Sequence, residues 1–275
     1  MEMNSIILAT VSLGGMGLIF GAGLAFASQK FAVEVDPRAV SVREALPGAN
    51  CGACGFPGCD AFANAVVKGS APINGCPVGG AETLGKLSVI MGVEAASGEK
   101  QVARVLCQGG EHCLDRFEYD GIETCKAENA IGGGGSKACV FGCLGHGDCV
   151  AVCNFDAIHI NEYGVAQVEP DKCTACGLCV SACPKNLIEM IPYKQQVFVD
   201  CINTEIGGHV KKNCSNACIA CKICEKNCPE DAIHVVNNIA RIDYDKCTNC
   251  AICFEKCPTK AISFDQQTQK LVVNE

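Results

Sequence analysis

The apolar residues of this chain are concentrated near its start, and the pattern is mixed and polar thereafter. Ser5 to Ser28 contains no charged residue. As an α-helix this stretch is about 36 Å long, enough to cross a hydrocarbon core of about 30 Å. A secretory signal peptide is the alternative, because Ala25-Phe26-Ala27 is similar to a cleavage site, but no Lys or Arg precedes the apolar run. We therefore expect residues 1–30 to form a retained transmembrane anchor.

The charges on either side of the anchor predict its orientation. Glu2 precedes it, whereas Lys30, Arg38 and Arg43 follow it. Positively charged residues tend to stay on the cytoplasmic side of a membrane helix. We expect a single-pass protein of the inner (cytoplasmic) membrane whose C-terminal domains face the cytoplasm.

Beyond the anchor, the pattern predicts short elements of an α+β fold. Residues 31–47 are short and mixed, which indicates a linker. The apolar period of "DAFANAVVKGS" after Cys59 predicts a helix, and "AIHVVNNIARIDYD" predicts two strands joined by a turn. Large apolar side chains are few, so we expect several small modules that metal–ligand bonds help to stabilise.

The cysteine content narrows the class of protein. The chain has 25 cysteines among 275 residues and a formal net charge of −8. Disulfide scaffolds are usually short secreted domains, whereas this chain is long and its cysteines recur at regular spacings, which indicates a metal protein in a reducing compartment. The acidic charge argues against nucleic acid as a partner.

The first cysteine group has the spacing C-x2-C-x4-C-x16-C and lies in a predicted domain at 31–90. Its members are Cys51, Cys54, Cys59 and Cys76. Zinc also binds four thiolates, but three close cysteines in a loop rich in Gly and Pro favour a [4Fe–4S] cluster. We expect a small helical 4Fe–4S domain here.

An internal repeat occupies the second half of the chain. Four cysteines, Cys139, Cys143, Cys149 and Cys153, recur as Cys214, Cys218, Cys224 and Cys228. Four more, Cys173, Cys176, Cys179 and Cys183, recur as Cys247, Cys250, Cys253 and Cys257. The repeat predicts two tandem modules, at 137–200 and 201–275. A linking region at 91–136 with extra cysteines precedes them, and its glycine run from Ile131 to Ser136 indicates a flexible segment.

Each module carries the cysteine run of bacterial two-cluster ferredoxins. In that run three close cysteines hold one cubane, and the fourth reaches across to the neighbouring cubane. The rule predicts four ligand sets: Cys153 with Cys173, Cys176 and Cys179; Cys183 with Cys139, Cys143 and Cys149; Cys228 with Cys247, Cys250 and Cys253; and Cys257 with Cys218, Cys221 and Cys224. Together with the first group they predict five [4Fe–4S] clusters.

Two positions leave the ligand assignment open. Cys214 is an alternative to Cys221, because alignment with the first copy selects Cys214 whereas the ferredoxin spacing selects Cys221. His146 matches Cys221 in the first copy, and we expect it to lie near a cluster without binding iron. Four further cysteines have no predicted role: Cys107, Cys113, Cys125 and Cys201.

Over essentially its full length the chain resembles the B subunits of the Rnf complexes, the ion-translocating ferredoxin:NAD oxidoreductases. The resemblance rests on the order of apolar anchor, C-x2-C-x4-C-x16-C motif, "KACVFGCLGHGDCVAVCNFDAI" and two tandem dicluster modules. It implies a membrane-bound electron relay that exchanges electrons with soluble ferredoxin. It also implies partner subunits that carry flavin and NAD sites and that span the membrane several times.

The residues alone also indicate electron transfer. Five cubanes without a dinucleotide-binding fingerprint or a nucleophile–base pair predict no bond-breaking active site in this chain alone. The alternatives are an anchored polyferredoxin of another membrane enzyme, such as a hydrogenase or quinone reductase, and a zinc-rich scaffold. We also expect ferredoxin to dock on lysines near the clusters, namely Lys185, Lys222, Lys226 and Lys256.

Overall fold

The N-terminal apolar segment forms one long helix. The computed structural model describes residues 3–30, 36–94 and 99–265, and helix α1 spans Met3–Lys30. Its portion Thr10–Ser28 is long and apolar enough to cross a membrane, with a mean hydropathy of 1.6, and none of it is buried against the rest of the chain. An exposed apolar surface of this kind is stable in lipid, so α1 is a candidate membrane anchor, as predicted.

The first cysteine domain is a small helical unit. It contains α2 (Pro37–Ala45), α3 (Cys59–Val67) and α4 (Gly80–Met91), which pack around the buried side chains of Val42, Phe62 and Leu87. The helix predicted after Cys59 is confirmed as α3. The interpretation of 31–47 as a linker was wrong where it covers α2.

Helix α2 carries a start signal that the apolar pattern did not reveal. Asp36 is its N-cap, and the Asp36 carboxylate accepts a hydrogen bond from the backbone N–H of Arg38 at 2.9 Å. Pro37 occupies the first helical turn, where a missing N–H has no cost. Asp-Pro at this point is therefore a sequence signal for a helix.

The first module consists of short strands and helices whose loops carry cysteines. Its elements are β1 (Gln101–Val105), α5 (Cys125–Asn129), α6 (Asp148–Ala151), β2 (Ile158–Ile160), β3 (Ala166–Val168), α7 (Leu178–Ala182) and β4 (Ile188–Pro192). Strand β1 pairs antiparallel with β4, and β2 pairs antiparallel with β3. Because β1 lies within 91–136, that predicted linking region contributes a strand to the first module.

The second module repeats this arrangement. Its elements are β5 (Val197–Val199), α8 (Gly207–Asn213), α9 (Ile223–Asn227), β6 (Ile233–Val236), β7 (Ile239–Ile242), α10 (Ile252–Lys256) and β8 (Ile262–Phe264). Strand β5 pairs with β8, and β6 pairs with β7 through a turn in which Asn237 and Asn238 have positive φ. The predicted strand–turn–strand is confirmed.

The pairing register extends the repeat beyond the cysteine runs. Val105 pairs with Ile188 in the first module, and Val199 pairs with Ile262 in the second. Ile188 and Ile262 are separated by the same 74 positions as Cys183 and Cys257. Each copy therefore begins with a strand, β1 or β5, that lies upstream of the first cysteine of the repeat.

The two modules are joined by a buried ion pair. Arg104 on β1 places Nη2 2.9 Å from Oδ2 of Asp200, which directly follows β5. The Asp200 carboxylate also accepts hydrogen bonds from Gln108 and from Ser263 on β8, each at 2.6 Å. A buried carboxylate with this many donors is well satisfied.

Candidate iron–sulfur sites

The cysteines of the first group lie together at one place, here called site 1. Cys51, Cys54, Cys59 and Cys76 line one cavity between the Gly-rich loop and α3. The loop turns through Gly52 and Gly55, whose φ values of 72° and 81° favour glycine. Burial raises the pKa of the Cys76 thiol, and the neighbouring Cys54 and Cys59 thiols add to the shift.

Site 2 differs from the predicted ligand set by one residue. Its cavity is lined by Cys125, Cys143, Cys149 and Cys183. Burial raises the pKa of the Cys149 thiol to about 12, with further contributions from the other three thiols. Cys139 was predicted in this set, but it lines a different cavity, between the modules.

Cys125 is the first residue of helix α5 and lies at site 2. The backbone N–H groups of Cys125 and Lys126 donate hydrogen bonds to the Asp148 carboxylate, at 2.9 and 3.0 Å. Thr124 is the N-cap of α5. Asp148 directly precedes Cys149 in the chain, so the cysteine loop itself also binds the first turn of α5. Sequence reasoning missed Cys125 because it lies outside the repeat. The signal was His146, which leaves the first copy one cysteine short.

The cysteines of the three remaining predicted sets also lie together. Cys153 lies with Cys173, Cys176 and Cys179 (site 3). Burial raises the pKa of the Cys179 thiol to about 11, and the other three thiols add to the shift. Cys218, Cys221 and Cys257 similarly surround Cys224 (site 4), where burial is again the main cause of a pKa of about 11. Cys228, Cys247, Cys250 and Cys253 line one cavity (site 5). The structure thus places Cys221 at site 4, whereas Cys214 lines the cavity between the modules.

The cysteine loops share one backbone conformation. Positive φ recurs at the same two positions in sites 3, 4 and 5: Ala175 and Gly177, Ala220 and Lys222, Asn249 and Ala251. The loop of site 2 has Gly145 and Gly147, each at 81°, at the matching positions. Non-glycine residues in this region are strained, so the loops hold a costly conformation that turns the backbone around each site.

Hydrogen bonds to sulfur accompany the crossing cysteines. The backbone N–H groups of Ala157, Leu187 and Ala232 donate to Cys153, Cys183 and Cys228 at 3.4, 3.5 and 3.3 Å. Each donor follows its cysteine by four residues. Such bonds stabilise charge on cluster sulfur and are one means by which a protein sets cluster potential.

The cysteine sets fit a group larger than a single ion. Among the residues that the structure describes, no three or more His, Cys, Asp or Glu side chains converge closely enough to hold one metal ion. A zinc site requires all four ligands within about 2.3 Å of one point. Four thiols around an apolar cavity instead fit the chemistry of a [4Fe–4S] cubane, whose iron offsets the cost of buried thiolates.

Family models match each of these regions. A family described as "Putative Fe-S cluster" matches residues 46–78. Three families described as "4Fe-4S dicluster domain" match residues 140–190, 169–232 and 217–267. With the candidate anchor, these matches define an iron–sulfur electron-transfer protein that is anchored to a membrane.

Curated relatives identify the family. The chain is 52% identical over 269 residues to the B subunit of the Na(+)-translocating ferredoxin:NAD(+) oxidoreductase complex of Acetobacterium woodii, covering 98% of this chain and 80% of that protein. It is 44% identical to the B subunit of the proton-translocating ferredoxin:NAD(+) oxidoreductase complex of Clostridium ljungdahlii, covering 90% of this chain and 88% of the relative. It is 41% identical to the B subunit of the ion-translocating oxidoreductase complex of Methanosarcina acetivorans, covering 90% and 94%. The chain belongs to the family of Rnf complex B subunits and is part of an ion-translocating oxidoreductase complex.

Proposed function

We propose that this chain relays electrons between soluble ferredoxin and the other subunits of a cation-translocating ferredoxin:NAD oxidoreductase. The observation that carries the proposal is the series of four-cysteine sites whose thiols influence one another. Cubane clusters, when bound there, supply one-electron carriers. The chain's own cysteines supply the sulfur ligands, and its backbone N–H groups donate hydrogen bonds to sulfur.

Within each half of the chain, neighbouring sites lie close to one another. The Cys51 thiol of site 1 contributes to the raised pKa of Cys176 in site 3, although burial is the main cause. Sites 3 and 2 share the first module, and sites 4 and 5 share the second. Burial and the Cys247 thiol are the main causes of the raised pKa of Cys253 in site 5, and Cys224 of site 4 adds to it. The series supports transfer along the chain between the C-terminal module and the anchor-proximal domain.

Family membership favours this function over that of an anchored polyferredoxin in a hydrogenase or quinone reductase. Two of the relatives are named as ferredoxin:NAD(+) oxidoreductase subunits. One name specifies Na⁺ and the other specifies protons, so B subunits of this family occur in complexes that translocate different cations. The partners we propose are flavin-binding, NAD-binding and multi-span subunits.

Lys226 and Lys256 are the residues we propose for ferredoxin docking. Both are exposed, and both lie on the short helices beside sites 4 and 5. Lys222 is also exposed, but its ammonium group lies 3.8 Å from the Glu225 carboxylate, which offsets its charge. Lys185 was also expected to dock ferredoxin, but we leave it out of the proposed surface. Its ammonium group donates to the carbonyls of Gly134 and Val140, and burial lowers its pKa.

We also propose that the domains after α1 face the cytoplasm. Arg38 and Arg43 follow the anchor, and positively charged residues next to a membrane helix favour the cytoplasmic side. This orientation gives the docking lysines access to soluble ferredoxin.

The relay is tested on the purified complex with chemically reduced ferredoxin. Replacement of a site 5 ligand, Cys250→Ala, is expected to lower ferredoxin-dependent NAD reduction at least tenfold. NADH oxidation by an artificial acceptor, which uses other subunits, is expected to be unchanged. A Cys250→Ala complex with full ferredoxin-dependent activity and about four fewer irons would contradict the proposal.

A further inference from the structure

A cavity between the two modules is lined by five cysteines. Its lining includes Cys107, Cys113, Cys139, Cys201 and Cys214. Three of the five have no predicted role, Cys214 is replaced by Cys221 at site 4, and Cys139 does not line site 2. Packing alone does not require five cysteines in one place, because Ala or Val would fill the same space equally well.

Cys113 and Cys214 are held side by side by backbone pairing. The N–H of Leu114 donates to the carbonyl of Asn213 at 2.9 Å, and the N–H of Ser215 donates to that of His112 at 3.1 Å. The two cysteines form the antiparallel bridge between these bonds. Residues that are far apart in the sequence are therefore brought together where the modules meet.

Cys107 and Cys139 complete a set around the same point. A Cβ built on Gly109 would lie 3.5 Å from Cys107 Sγ and 3.7 Å from Cys214 Sγ, and 3.4 Å from Cys113 Cβ. The absence of a side chain at Gly109 leaves space beside three of the cysteines. Cys139 adjoins Cys113, whose sulfur accepts a hydrogen bond from the Cys139 backbone.

Donors to sulfur are present here as at the other sites. The amide of Asn203 donates to Cys139 Sγ at 3.3 Å, and the N–H of Gly109 donates to Cys107 Sγ at 3.3 Å. Asn203 is 1% exposed. A buried side-chain amide directed at a thiol is well placed to stabilise a thiolate ligand.

Cys201 is distinct from these four. Its sulfur accepts hydrogen bonds from the backbone of Cys218 and Asn203, and its thiol neighbours are Cys218 and Cys139. By strand register Cys201 in the second module corresponds to Cys107 in the first, since each follows its strand by two residues. It therefore lines the cavity from the side of site 4.

We propose that Cys107, Cys113, Cys139 and Cys214 bind a sixth [4Fe–4S] cluster between the modules. The ligand exchange at site 2 makes this possible, because Cys125 takes the place that His146 cannot fill and Cys139 is released. Of the 25 cysteines, only Cys201 then has no iron to bind.

The sixth site would bridge the two dicluster modules. Leu187 lines both this cavity and site 2, and the backbone of Cys143 in site 2 donates to Cys107. On the other side, Cys214 is four residues from Cys218 in site 4. The bridging role depends on the proposed relay, whereas the cluster itself does not.

The cluster is tested by iron and acid-labile sulfide analysis of the anaerobically purified full chain. Six cubanes carry about 24 irons and 24 sulfides, whereas five carry about 20 of each. The double variant with Cys113→Ala and Cys214→Ala is expected to lose about four irons and one set of reduced-cluster electron paramagnetic resonance signals. The matched control is Cys201→Ala, in the same cavity, which is expected to retain all iron.

Three results would overturn the assignment. The first is about 20 irons in the unaltered chain, a measurement that needs no variant to fold. The second is a Cys113–Cys214 disulfide found by mass spectrometry after denaturation and alkylation without oxygen. The third is loss of iron in Cys201→Ala equal to that in the double variant. The relay fails separately, if all six clusters are present and ferredoxin still does not reduce them.

Discussion

The imidazole of His146 lies 2.5 Å from the carboxylate of Glu128, and this contact joins the site 2 loop to the helix that supplies its fourth cysteine. His146 occupies the position of Cys221 in the second module. Glu128 lies on α5, one turn after Cys125, and is 2% exposed. Burial alone would raise the pKa of Glu128, but hydrogen bonds from Ser136 and His146 bring it below its usual range. The histidine that stands at the position of Cys221 is therefore accompanied by a buried carboxylate that pairs with its imidazole.

This relationship predicts a rescue experiment. Cys125→Ala is expected to remove about four irons, because site 2 keeps only Cys143, Cys149 and Cys183. Adding His146→Cys restores the ferredoxin spacing within the loop, where Gly145 and Gly147 already have positive φ, as the matching residues of the second module do. The double variant is therefore expected to regain most of the lost iron.

The matched control is His146→Ala on the Cys125→Ala background. It removes the same imidazole and supplies no thiol, so it is expected to stay low in iron. Equal iron in the two double variants, measured on anaerobically purified protein, would mean that position 146 does not face the cluster site.

The two cysteines that the sequence left as alternatives are expected to serve different clusters. Cys221→Ala and Cys214→Ala are each expected to lose about four irons, and the combined variant about eight. If both belonged to one site, as the sequence alternatives assume, one single variant would keep all its iron and the combined variant would lose no more than the other. Iron per chain and the additivity of the spectral changes distinguish these outcomes.

The sequence predicted those features that depend on local spacing. Sites 1, 3 and 5 each draw their close cysteines from one short run, and the crossing rule predicted the fourth cysteine that lies at sites 3 and 5. The positions missed depend on contacts between distant segments. The backbone N–H of Cys125 donates to the distant Asp148 carboxylate, which helps to place Cys125 at site 2. No local sequence pattern predicts this contact.

The glycine run at Ile131–Ser136 illustrates the same limit. It was interpreted as flexible, yet Arg116 donates to the carbonyls of Gly133 and Gly135, and Glu128 accepts from the N–H of Ser136. Gly133, Gly134 and Gly135 have φ values of 82°, 78° and 102°. Glycine is present there because the backbone conformation requires it, a reason that composition cannot distinguish from flexibility.

The ion pair between modules is expected to contribute strongly to stability. Arg104→Gln leaves the Asp200 carboxylate, whose side chain is 2% exposed, without its cation and removes the guanidinium that lies 4.1 Å from the centre of the Phe198 ring. Loss of one partner of a buried pair costs about 3 kcal/mol or more. The denaturant midpoint of the iron-loaded chain, followed by circular dichroism without oxygen, is expected to fall accordingly.

Arg241→Gln is the control for this measurement. Arg241 also pairs with a carboxylate, Glu189, at 3.6 Å, but both side chains are nearly half exposed. An exposed pair of this kind contributes less than about 1 kcal/mol. Similar midpoints for the two variants would show that Arg104 does not join the modules energetically.

The exposed lysines of the second module are expected to govern the association rate with ferredoxin. Soluble ferredoxins tend to be acidic, so reversing the charge at Lys226 and Lys256 replaces attraction by repulsion. The variant with Lys226→Glu and Lys256→Glu is expected to be reduced about tenfold more slowly at low ionic strength, with a flatter salt dependence. Stopped-flow absorbance near 400 nm follows the reduction.

The control variant, Lys68→Glu with Lys86→Glu, makes the same change in net charge on exposed lysines of the site 1 domain, and it is expected to retain the original rate. A uniform decrease in both variants would indicate that net charge alone, rather than a docking surface on the second module, determines the rate.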